Sequence, residues 1–250
     1  MAEQGWTAQY YDAVEYYFWG PDKLNSVRKP GGSVHVDVVL DRLKRLEEPL
    51  NHLMTLFLDL APHQLRRELA EQCAGLQLGT ASKVADRLAL AVFDGLNVTQ
   101  ADVLVSGPSG LLAIEVKLAS HSNLTQVLKY ALLVSRLSAG RPAALTYLTH
   151  RPFGRHWKNL QSPEEVKAAA ISHLQEIERL GQLQLTDHLR SEIDQALSGL
   201  RLTSWQFSDF AAFLADWCAR PINGPGDETL HGLCAGMLRE IDARGLAESS

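Results

Sequence analysis

Residues 101–118, ADVLVSGPSGLLAIEVKL, decide the fold. Two short apolar runs flank the turn-forming stretch Ser106-Gly107-Pro108-Ser109-Gly110, which predicts a β-hairpin. Side chains alternate across a strand, so Leu112, Ile114, Val116 and Leu118 take one face of the second run, and Ala113, Glu115 and Lys117 take the other. A carboxylate and an ammonium therefore share one face of an otherwise apolar strand. With the turn centred near Pro108, Asp102 falls opposite Ile114 or Glu115. Either register brings two carboxylates within side-chain reach.

Downstream, SNLTQVLKYALLVSRL at 122–137 spaces Leu124, Leu128, Ala131, Leu132 and Leu137 for a helix packed on a sheet, and AALTYLTH at 143–150 reads as a further strand. Strand, strand, helix, strand is the order of an α/β layer. Ser162-Pro163-Glu164-Glu165 supplies an N-cap, a first-turn proline and a capping-box glutamate for a long helix. The remainder is mainly helical, interrupted by RLTSWQF at 201–207, an expected edge strand, after which Ser208 is placed to cap DFAAFLADWCA.

Upstream, residues 37–60 set Val39, Leu43, Leu46, Leu50, Leu53 and Phe57 at helical spacing, and a second helix follows Pro62. In residues 82–94, the alternation of Leu88, Leu90 and Val92 favours a strand near 87–93, although Val84, Leu88 and Ala91 also fit a helix. Residues 6–19, rich in Trp, Tyr and Phe, read as a docking or core face. The expected organisation is an aromatic N-terminal extension over 1–36, a core over 37–215 and a helical C-terminal extension over 216–250.

A chain of 250 residues with 46 % hydrophobic composition can bury a core, which excludes a disordered reading. A net charge of −5 excludes the global basic field of a protein that coats nucleic acid non-specifically, so any such contact must be local. Cys73, Cys218 and Cys234 show no paired spacing and read as buried thiols of a reducing compartment. The N-terminus has acidic residues where a leader has basic ones, and no apolar run reaches transmembrane length. A cytoplasmic protein without a membrane partner is expected.

Two close carboxylates repel each other unless a positive charge lies between them. Oxygen-only ligands suit Mg²⁺ or Mn²⁺ better than zinc. Such an ion polarises a phosphate oxygen and helps to deprotonate an attacking water, while Lys117 orients that water or stabilises phosphoryl charge. The chemistry implied is phosphodiester hydrolysis. The segment HRPFGRHWK at 150–158 is the one strongly basic stretch, with Arg151, Arg155 and Lys158 as expected phosphate contacts and Phe153 and Trp157 as aromatics suited to base stacking. The nine histidines show no ligand spacing such as H-E-x-x-H.

Taken together, Ala101-Asp102 followed by Glu115-Val116-Lys117 resembles the motif of the PD-(D/E)XK nuclease superfamily, with Ala101 in place of the usual proline. Gln126-Val-Leu-Lys-Tyr130 looks like the Q-x-x-x-Y element of its RecB-like branches. Gln126 and Tyr130 are one helical turn apart, and the resemblance turns them toward the metal site and the substrate backbone. It also implies a first-helix glutamate as an extra metal ligand. Glu47 is the candidate, with Glu48, Glu68 and Glu71 as alternatives. The resemblance covers roughly residues 40–215, and its specific part lies in 101–130.

What it implies is a restriction-endonuclease-like mixed sheet flanked by helices, with extra N- and C-terminal helices. The expected activity is an Mg²⁺- or Mn²⁺-dependent nuclease acting on nucleic acid, DNA first, through Asp102, Glu115, Lys117, Gln126 and Tyr130. The alternative is a catalytically inactive binding or assembly module of the same fold. A homodimer or protein partner would use the aromatic N-terminal segment. A third reading is an unrelated helical regulator with an incidental hairpin.

Overall fold

The computed structural model describes residues 6, 7, 10, 47–85, 92, 93, 96, 98–118, 120–157 and 159–247. Most of the aromatic extension, the start of the helix expected from residue 37, most of the strand expected at 87–93, and Lys158 lie outside them. The hairpin forms as expected, with β2 over Val103–Gly107 and β3 over Gly110–Lys117 in the register Val103↔Ile114 and Gly107↔Gly110. Gly107 is required by packing, since a Cβ there would lie 2.0 Å from the Leu78 carbonyl oxygen.

A third antiparallel strand precedes the stretch where the alternation at 87–93 is read. It is β1, Lys83–Val84, which pairs with Ser106 and Val105. Val92 and Phe93 instead lie in a short helical turn. A two-residue strand carries no periodicity, and residues 87–91 of the expected strand lie outside the described residues.

Beyond β3, helix α3 (Leu124–Ser138) leads to β4 (Ala143–Thr149), which runs parallel to β3. Helix α4 (Pro163–Glu176), the small hairpin β5 (Arg179–Leu180) and β6 (Leu183–Gln184), and helix α5 (Asp187–Gly199) lead to β7 (Arg201–Gln206), parallel to β4. The five-stranded sheet has the order β1-β2-β3-β4-β7, so 201–206 is an edge strand, as expected. This is a mixed open α/β sheet.

Each sheet face buries its own apolar layer. Leu112, Ile114 and Val116 pack with Phe57 and Leu58 of α1 (Glu47–Leu60) and Leu65 of α2 (His63–Ala74). The same layer contains Phe210 and Trp217 of α6 (Phe207–Ala219) and Met237 and Ile241 of α7 (Pro225–Ala243). Leu111, Ala113, Leu145 and Tyr147 pack with Val127 and Ala131 of α3, Val166 of α4 and Ile193 of α5. Residue 216 thus falls within α6, and α7 shares a core with the central strand. Trp6 is tied to α7 as well, donating from its indole N–H to the Leu233 carbonyl at 3.2 Å.

Caps set the helix starts. Asn123 accepts the Gln126 N–H at 2.8 Å, and Ser162 accepts that of Glu165 at 3.2 Å. Ser208 does not cap α6. The helix follows β7 directly, and Asp209 accepts the Gln206 N–H at 3.0 Å, so Ser208 lies inside the first turn. Cys73 and Cys234 are buried and Cys218 is half-buried, all three free. Among the described residues, no helix is long and apolar enough to cross a membrane.

Candidate active site

Strand β2 begins at Val103 while β3 continues to Lys117, leaving the far end of that β3 edge without a strand partner among the described residues. Two carboxylates take over there. The register Val103↔Ile114 extends to set Asp102 beside Glu115, and Asp102 Oδ2 accepts the Val116 N–H at 2.9 Å. One pleat further, Glu47 Oε1 accepts the Leu118 N–H at 2.8 Å and the Ser120 hydroxyl at 2.8 Å. Those two N–H groups are about 7 Å apart along an extended strand. Helix α1 supplies Glu47, and its Thr55 hydroxyl also reaches the Asp102 carbonyl at 3.5 Å.

Glu115 sits on the opposite side of β3 from the core of α1 and α2, and is 3 % exposed. Its Oε1 accepts from Lys117 Nζ at 2.7 Å and from Gln126 Nε2 at 2.7 Å, and its Oε2 accepts from the Tyr130 hydroxyl. The Tyr130 hydroxyl also lies 3.0 Å from the Gln100 carbonyl. Gln126 and Tyr130 meet the same carboxylate because they are one turn apart on α3, whose start is fixed by Asn123. Val127, Leu128 and Ala131 anchor that helix to the sheet.

Burial first, and the charge of Glu115 second, push the Asp102 carboxyl from 3.8 up to about 8; the Val116 N–H and Lys117 act in the opposite direction. Burial and the same two carboxylates hold the Tyr130 hydroxyl well above its ordinary value. A positive charge between the two carboxylates would offset this repulsion. Asp102 and Glu115 fit such an ion by chemistry. Mg²⁺ takes hard oxygen ligands, uses one or two carboxylates and keeps several waters. Among the described residues, no group of three or more His, Cys, Asp or Glu is placed to hold a metal. Glu47 is engaged at the strand end by Leu118 and Ser120, and does not make such a group with Asp102 and Glu115.

A stability prediction follows from the raised carboxyl. Asp102 binds its proton more tightly folded than unfolded, so its contribution is complete below about pH 4 and is lost as pH rises to about 8. Denaturant unfolding without metal should show wild type losing stability relative to Asp102→Asn across that window, by up to about 1.4 kcal/mol per pH unit. Parallel curves for the two proteins would contradict the buried, protonated state.

The basic segment lies at the same strand ends, since the His150 N–H donates to the Lys117 carbonyl at 3.1 Å. Arg151 and Arg155 are exposed. Phe153 and Trp157 are not available to stack on bases. Both are buried against Tyr147, with ring centroids 5.9 Å and 5.5 Å from it. Their apolar surface closes the core beneath the end of β4, which burial favours over exposure.

His156 is also buried and braces the loop after β3. Its Nδ1 lies 3.1 Å from the Ser120 carbonyl, and its own carbonyl accepts the Ser122 N–H at 2.9 Å. Burial, reinforced by the charge of Lys117, holds the ring below its ordinary pKa, against the pull of the Ser120 hydrogen bond and Glu47. The bridge from Glu47 through Ser120 to His156 joins segments with no local sequence signal. Comparisons with known protein families, curated proteins and solved structures found no match.

Proposed function

We propose that the chain is a divalent-metal-dependent nuclease of the PD-(D/E)XK kind that hydrolyses phosphodiester bonds, with DNA as the first substrate class to test. The observation that carries this reading is the convergence of buried Glu115, Lys117 and Tyr130 with half-buried Asp102 and Gln126 in one cluster beside the ends of β3 and β4. Asp102 and Glu115 would hold Mg²⁺ or Mn²⁺, which when bound polarises the phosphate and lowers the pKa of a coordinated water. Gln126 and Tyr130 are neutral donors that fix the Glu115 carboxylate without cancelling its charge. Lys117 supplies the positive charge that opposes charge building on the phosphoryl oxygens. Arg151 and Arg155 would hold flanking phosphates, and the proposed contact at Lys158 rests on sequence alone.

The test is cleavage of labelled single- and double-stranded DNA and RNA with Mg²⁺, Mn²⁺ or EDTA. Cleavage with either metal and none with EDTA is expected. No cleavage of any substrate by folded protein would reject the proposal. One observation favours the second reading, a binding module without turnover. Asp102 accepts the Val116 N–H, and Glu115 pairs with Lys117 and Gln126, so each of these groups has a partner within the protein. Calorimetric titration with Mg²⁺ separates the two, because a module of that kind gives no binding heat that depends on Asp102.

The exposed arginines carry a further prediction. Replacing Arg151 and Arg155 together by alanine should reduce the slope of log affinity against log salt by about 0.9 for each duplex phosphate that the protein no longer neutralises. Turnover at saturating substrate should fall much less than affinity. An unchanged salt slope would put the substrate path elsewhere.

A further inference from the structure

Lys117 is a buried ammonium, 5 % exposed, with three N–H donors to satisfy, and Glu115 Oε1 at 2.7 Å takes one of them. Its register partner across the parallel ladder is Thr149, the last residue of β4. Register partners project from the same face of a sheet, and neighbouring strands lie about 4.8 Å apart, which is within reach of a lysine side chain. Thr149 is fully buried, and its hydroxyl has no hydrogen-bond partner among the described residues. The other buried threonine of β4, Thr146, pairs its hydroxyl with that of Thr203 at 2.8 Å. An idle buried hydroxyl needs an explanation that an occupied one does not.

We propose, resting on the metal-dependent reading above, that Thr149 is a positioning residue for Lys117. A divalent cation on Glu115 would repel the ammonium that now shares that carboxylate. A buried ammonium cannot be left without an acceptor. With an ion held by Asp102 and Glu115, Thr149 Oγ1 would receive the Lys117 N–H and keep the ammonium at the end of β3. The lysine would thus have two partners, Glu115 as in this structure and Thr149 when an ion is held by the two carboxylates. No covalent bond changes in the transfer.

The first arm of the test needs no activity. It compares thermal unfolding, without metal, of wild type, Thr149→Val, Glu115→Gln and the double variant. Valine in the wild-type background should leave Tm unchanged or raise it, because the hydroxyl is idle while Lys117 rests on Glu115. In the Glu115→Gln background the same change should lower Tm by several degrees, since Lys117 then relies on Thr149. Additive effects would overturn the proposal.

The second arm uses a cleavable substrate. Thr149→Val should lower kcat about 10- to 100-fold with KM and Mg²⁺ affinity nearly unchanged, and Thr149→Ser should restore most of the loss. A change confined to KM, or failure of serine to rescue, would overturn the positioning role. Absence of any cleavage by wild type would reject the nuclease reading by itself. The unfolding cycle would still decide whether Lys117 and Thr149 are coupled.

Discussion

If the proposed metal site is right, Asp102→Asn and Glu115→Gln are each expected to lower metal-dependent cleavage by about a thousand-fold or more, because each would remove a charged ligand of an ion that contributes several kcal/mol to transition-state stabilisation. Their effects on the metal-free fold should have opposite signs. Asp102 is held against its preferred ionisation by burial and by Glu115, so asparagine removes that conflict while keeping an acceptor for the Val116 N–H. Its Tm should rise near neutral pH. Glu115 instead holds the Lys117 ammonium, Gln126 and Tyr130, and glutamine takes the bonded carboxylate away from the buried ammonium. Its Tm should fall. Calorimetry with Mg²⁺ and a cleavage assay on the same preparations check both halves, and near-wild-type turnover in either variant would remove that residue from the proposed metal site.

The opposite signs come from a feature only half legible in the sequence. Alternation along LLAIEVKL puts Glu115 and Lys117 on one face, and a turn near Pro108 sets Asp102 opposite that strand to within one residue. The structure settles the register on Glu115, and it turns the Asp102 carboxylate onto the Val116 N–H as a replacement for a strand partner. Helical spacing likewise predicts that Gln126 and Tyr130 share a face, because one turn of helix is a local rule.

Other parts of the site obey no local rule. Glu47 reaches Ser120 across 73 residues, and His156 reaches Ser120 across 36. Such contacts depend on how the layers stack, which periodicity does not report. The aromatics at 153 and 157 show the converse difficulty. Phe and Trp suit base stacking and core packing equally well by composition, and Tyr147 on the neighbouring strand decides for the core. The strand at 83–84 escapes a reading by periodicity because two residues cannot display an alternation.

Arg66→Met is expected to lower Tm by about 5–15 °C, on the basis of a loss of about 2–5 kcal/mol. Arg66 lies on α2 and is 8 % exposed. One of its nitrogens donates to the carbonyls of Leu58 at 2.6 Å, Ala61 at 2.5 Å and Asp59 at 3.3 Å, and another to the Ser82 carbonyl at 2.7 Å. The first three lie at or just past the C-terminal end of α1, which has no basic residue in its last turn, so the guanidinium supplies the cation and donors that this end requires. Methionine matches the volume of the stem but leaves those buried carbonyls without their partner. Lysine keeps the charge and loses the fork, so Arg66→Lys should fall between the two.

The consequence reaches the site because α1 presents Glu47 to Leu118 and Ser120, and Thr55 to the Asp102 carbonyl. Loosening its far end should raise hydrogen exchange along α1 before the sheet opens, and should weaken Mg²⁺ binding under conditions where the rest of the fold persists. A variant with wild-type Tm and unchanged α1 exchange would show that solvent satisfies those carbonyls as well as Arg66 does.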